Sequence, residues 1–206
     1  MPPRSSTPFR GRCAFTLIEL LAVIAVVALL AGLLFSALTH VRAMAQQTHC
    51  ANNLRELARL AQLQSAENGG RVPQGMWYYE GSVARPNLWD YGMTEELIQC
   101  PSTELPRSYG INLNVIKPNN GTNWGGSGDP NFWKYGAYGY DQLDPVKTVL
   151  FADTFSTTTG YYYVNSVHAD YRHGDKMQVA YVDGHVGLVT REQVEVDQVL
   201  KDGLPN

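Results

Sequence analysis

The sequence predicts an α+β chain: one long N-terminal α-helix, half apolar and half amphipathic, packed on a C-terminal antiparallel β-sheet. Three observations lead there. Residues 15–38 are an apolar run of 24 residues with a single charge, Glu19. Residues 40–68 continue without a proline, their apolar side chains falling at helical spacing. The stretch KMQVAYVDGHVGLVT, residues 176–190, reads as two strands around Asp183-Gly184.

The first element is a basic leader, residues 1–14, which holds Arg4, Arg10 and Arg12 and no acidic residue. The apolar helix behind it, residues 15–39, is long enough to cross a bilayer: the 24 residues 15–38 alone, at about 1.5 Å each, give about 36 Å, against a hydrocarbon core of about 30 Å. The positive-inside rule places the leader in the cytoplasm and everything beyond the helix on the far side. The run exceeds an ordinary signal-peptide core, and no small-residue cleavage pattern follows Leu38. Glu19 stands out, because a carboxylate at membrane depth costs roughly 2.5–3.5 kcal/mol or more.

Ala14-Phe15-Thr16-Leu17-Ile18-Glu19-Leu20, behind a basic leader, resembles the processing site of type IV pilins and type II secretion pseudopilins. The resemblance implies cleavage between Ala14 and Phe15 by a prepilin peptidase, N-methylation of Phe15, and assembly through the helix with other copies or related pseudopilins. It also implies a pilin-like fold and a single-pass protein of the bacterial inner membrane, its C-terminal domain periplasmic or extracellular. The family usually has glycine before the cut where this chain has Ala14. Glu19 then acquires a role. Cleavage creates an ammonium one helical turn away, and stacked subunits can bring one chain's amine beside another's carboxylate, offsetting two charges that are each costly alone. The plainer reading is a carboxylate that reaches the nearby cytoplasmic interface.

The amphipathic extension, residues 40–68, places Cys50, Leu54, Leu57 and Ala61 on one face, with Arg55, Glu56, Arg59 and Gln62 largely elsewhere. Gly69-Gly70 supplies a stop, with Pro73 just beyond. Gly32 is the softest point of the whole helix. Residues 69–206 form the exported domain. Within it, residues 107–116 and 145–153 read as strands, the Gly/Asn/Trp stretch 119–140 as a loop, and Thr190 with Gln193 as a capping box opening a short helix. Trp77, Tyr78, Tyr79, Trp124, Trp133, Tyr135, Tyr138 and Tyr140 either cover the sheet of a thin core or form a surface for sugars or proteins; the first is the commoner use.

His173, nine residues, then Asp183-Gly184 is similar to the H-X9-DG signature of a group of bacterial pilin-like proteins. The segments Cys50-Ala51-Asn52-Asn53-Leu54 and Cys100-Pro101-Ser102 also resemble that group's motifs. Independently of any family, Cys50 and Cys100 both fall on the exported side, where disulfides persist. They either form a bridge or serve as two small core residues.

Chemistry finds little support. His168, His173, His185, Asp153, Asp170, Asp175 and Asp183 gather in the last third, but in no order that matches a zinc-protease, nucleophile-elbow or paired-carboxylate motif. No catalytic residue, cofactor or dedicated metal ligand is expected. The pseudopilin resemblance implies one alternative, Ca²⁺, which some pseudopilins bind in C-terminal loops, and Asp and Asn oxygens are plentiful here. Setting the leader's three arginines aside moves the net charge from −3 to −6, which argues against a nucleic-acid partner. The expected role is a non-enzymatic pilus or pseudopilus subunit. The rival is a membrane-anchored extracellular binding module for a polysaccharide or protein that does not polymerise.

Overall fold

The computed structural model describes residues 16–73, 87–116, 138–155, 163–164, 167–195 and 198–204. Two compact units are present, Met1–Arg42 and Ala43–Asn206. Helix α1 spans Leu17–Glu67 and runs through Gly32 without a break. In the first unit its large apolar side chains, from Leu17 to Phe35, are all exposed.

In the second unit α1 supplies one side of the core. Cys50, Leu54, Leu57 and Ala61 are all fully buried, as their spacing predicts, and Ala58 and Leu60 widen the stripe. The helix ends where predicted: Gly69 and Gly70 take positive φ, and the Gly70 N–H donates to the Ser65 carbonyl at 2.9 Å, closing an orphan carbonyl of the last turn.

The remaining elements are β1 (Tyr109–Asn112), α2 (Leu113–Ile116), β2 (Val149–Asp153), β3 (Tyr163–Val164), β4 (Lys176–Tyr181), β5 (Val186–Thr190), α3 (Arg191–Glu195) and α4 (Gln198–Lys201). The sheet runs β3-β1-β2-β4-β5. Strands β1, β2, β4 and β5 pair antiparallel, and the two-residue edge strand β3 pairs parallel with β1. The α+β class is as expected, with that edge as the departure from a wholly antiparallel sheet.

Two expected strands are shorter than their sequences suggest. Residues 107–116 divide into β1 and one helical turn, because the Asn112 side chain accepts the Asn114 N–H at 3.0 Å and starts the turn. Residues 145–147 form a turn before β2, with the Thr148 N–H donating to the Asp144 carbonyl at 2.9 Å.

Both sheet faces are covered. One core joins α1 to Tyr109, Ile111, Phe151, Ala180 and Val182. The other gathers Val149, Ala152, Met177, Val179 and Val189 with Val194 of α3 and Leu200 of α4. In β4 the alternation is visible: Met177 and Val179 belong to the second core and Ala180 to the first. Strand β2 is buried throughout, which is why VLFAD reads as a continuous apolar run. Tyr138 and Tyr140 are half-buried against the first core, the covering role expected of the aromatics. Trp77, Tyr78, Tyr79, Trp124, Trp133 and Tyr135 lie outside the described residues.

Candidate functional site

Ala14 and Phe15, the expected processing pair, lie outside the described residues. Immediately after them the geometry is defined. Glu19 Oε2 accepts both the Thr16 N–H and the Thr16 hydroxyl at 2.8 Å, and the Glu19 N–H donates to Thr16 Oγ1 at 3.3 Å. This is a capping box: a Thr at the helix start and a Glu three residues on satisfy each other's orphan backbone donors. Thr-x-x-Glu at the head of an apolar run is the sequence signal of this cap. Glu19 therefore has a local partner within a single chain, at the beginning of a helix that is long and apolar enough to cross a membrane.

In the second unit, the structure joins Cys50 to Cys100, with S–S 2.10 Å and Cα–Cα 5.2 Å. Helix α1 and the segment around Cys100 are further tied by Asn53 Nδ2, which donates to the Gln99 carbonyl at 3.0 Å, and by Gln46 Nε2, which donates to that of Pro101 at 3.1 Å. The C-x-N-N-L and C-P-S segments are thus in direct contact.

His173 sits beside this bridge. Its Nε2 lies 3.6 Å from Cys100 Sγ and 3.4 Å from Asp153 Oδ2. Asp153 ends β2 fully buried; its Oδ2 also accepts the Gln178 N–H at 2.8 Å, while Oδ1 has no hydrogen-bond partner among the described residues. The neighbouring Arg172 donates through Nη2 to Asp170 Oδ2 at 2.7 Å and to the Thr154 carbonyl at 2.8 Å. Burial pushes Asp153 up to about 7, against the pull of the Arg172 guanidinium. Burial, reinforced by Arg172, pushes His173 down to about 4. At neutral pH the imidazole is therefore uncharged, and its contact with Asp153 is not a formal ion pair.

Asp183 and Gly184 lie elsewhere. They belong to the connection between β4 and β5, where Gly184 takes φ 91° and the Tyr181 N–H donates to the His185 carbonyl at 2.9 Å. Asp183 Oδ1 accepts the His185 N–H at 2.9 Å and lies 2.6 Å from His185 Nδ1. Burial works against ionisation of Asp183, but these hydrogen bonds prevail and hold its carboxyl below the usual range. His173 and Asp183 flank β4, whose six residues span about 20 Å. Their spacing in sequence is therefore the length of a strand, and the two do not share a chemical centre. Asp153, Arg172 and Asp170 are the residues that do surround His173. A carboxylate closing the apolar run VLFAD was the available signal.

Residues 9–35 match the family described as the prokaryotic N-terminal methylation motif. The matched segment is a prepilin-type methylation motif. That match supports a type IV pilin-like precursor, a class of subunit usually without enzymatic activity; the matched segment ends before the second unit begins. The motif implies a prepilin peptidase and other pilins as partners, and with the apolar helix it suggests a membrane anchor. Comparison with curated proteins and with solved structures found no match.

Proposed function

We propose that the chain is a structural subunit of a type IV pilus or type II secretion pseudopilus, cut between Ala14 and Phe15 and N-methylated at Phe15. The leader faces the cytoplasm, residues 15–39 cross the inner membrane, residues 40–68 extend the helix, and residues 69–206 form the exported domain that carries the H-X9-DG hairpin. One observation carries the reading: an exposed apolar helix of membrane-spanning length begins with a single carboxylate, inside a segment that matches the N-terminal methylation motif. In the assembled filament Glu19 meets the methylated amine of a neighbouring chain, so insertion tolerates the charge and assembly uses it.

The capping box makes the test sharper. Glu19→Gln keeps an acceptor for the Thr16 donors, since glutamine also closes a capping box, but it carries no charge. The variant should insert and be processed normally, yet drop at least tenfold in sheared filament fractions when it is the sole copy. Incorporation at the native level would show that Glu19 only caps its helix.

A further inference from the structure

Cys50, Cys100 and His173 each offer one ligand atom, and the three atoms lie within 4.8 Å of one another in a buried setting. We propose that these residues form a redox-gated site for a divalent zinc-class cation, filled when the cysteines are a dithiol and emptied when they are a disulfide.

The geometry suits such a cation. Zinc holds thiolate sulfur at about 2.3 Å and imidazole nitrogen at about 2.0–2.1 Å. In a tetrahedron these bonds set sulfur and nitrogen about 3.5 Å apart. Cys100 Sγ and His173 Nε2 already stand 3.6 Å apart. Asp153, whose Oδ2 lies 3.4 Å from the same imidazole nitrogen, is a buried carboxyl group whose Oδ1 has no hydrogen-bond partner among the described residues. It or a water molecule can complete the coordination.

Charge selects the cation. Two thiolates cancel a divalent ion, so filling the site adds no net charge to an interior where Arg172 already stands close by. Two thiolates and an imidazole form a soft donor set, which favours zinc over calcium or magnesium.

The gating step balances. A small dithiol reductant gives two electrons and two protons to the Cys50–Cys100 bond, yielding two thiols and the reductant's own disulfide. Cation binding then releases both thiol protons to solvent. Reoxidation by a disulfide of the same class reverses the electron transfer and expels the ion.

The test uses the full-length chain in detergent with Cys13→Ser, so that the leader thiol cannot contribute. It is reduced, stripped with chelator and titrated with Zn²⁺, or with Co²⁺ as a spectroscopic stand-in. One equivalent should bind the reduced chain. Co²⁺ should give a thiolate charge-transfer band with the visible absorption of a tetrahedral site, and Zn²⁺ should raise the melting temperature. The oxidised chain should show none of these. His173→Ala should weaken binding at least tenfold, and His173→Gln serves if the alanine variant fails to fold. Should the reduced chain lose structure on its own, Zn²⁺ should restore its circular dichroism. No binding to the reduced chain, binding that ignores His173, or binding without recovery of structure would overturn the site.

Discussion

Asp153 shows how a single buried group shapes the behaviour of the domain. Its folded value of about 7 lies above the ordinary 3.8, so the unfolded chain gives up its proton first. The stability this carboxyl contributes is fully present below pH 4 and declines as pH rises to about 7. Relative to Asp153→Asn, the native chain should lose up to about 1.4 kcal/mol per pH unit across that window. Parallel stability curves in denaturant titrations would contradict the assignment. His173 has the opposite sense, its contribution falling as pH drops from 6.5 towards 4, so the comparison with Asn isolates the carboxyl. Asn112 is a second residue whose part only the structure reveals: buried, it donates to the carbonyls of Val149 at 2.8 Å and Leu200 at 2.9 Å. It thereby ties α4 to the sheet. Asn112→Leu should cost about 2 kcal/mol or more, because the Val149 carbonyl loses this donor, the Asn114 N–H loses its acceptor, and the Leu200 carbonyl keeps only the bond from Asn114 Nδ2 at 3.2 Å.

Among the elements, the amphipathic half of α1 and the β4–β5 hairpin carry most of the fold. Leu57 is fully buried, and Leu57→Ala should cost about 2–5 kcal/mol in thermal or chemical unfolding. Gly184→Ala should cost about 1–2 kcal/mol, because its φ of 91° disfavours any side chain. These elements were legible because each obeys a short-range rule. Helical spacing marked the buried stripe, Asp-Gly marked the turn, and Thr190 with Gln193 marked the start of α3, where the Thr190 N–H does donate to Gln193 Oε1 at 2.8 Å. What stayed hidden was long-range. The parallel partner of β1 is β3, some fifty residues on in sequence, and the setting of His173 depends on Asp153 and Cys100 from other parts of the chain. His173 and Asp183, which the signature names together, are held apart by the strand between them.

Across the whole molecule, residues so distant in sequence are brought together by the Cys50–Cys100 link, which closes a loop of 50 residues. In the chain-entropy picture that closure is worth about 4 kcal/mol, so reduction under chelating conditions should lower the melting temperature by several degrees. The chain as a whole joins two parts with different solvents: an apolar helix whose side chains are exposed in isolation, and a domain with two well-covered sheet faces. Such a division makes sense for a subunit that buries its helix in a bilayer first and among its neighbours later. The most direct measurement is the intact mass and N-terminal sequence of the mature protein from its native cells. A chain beginning at N-methylated Phe15 is the expected result; a chain that retains residues 1–14 would contradict the account.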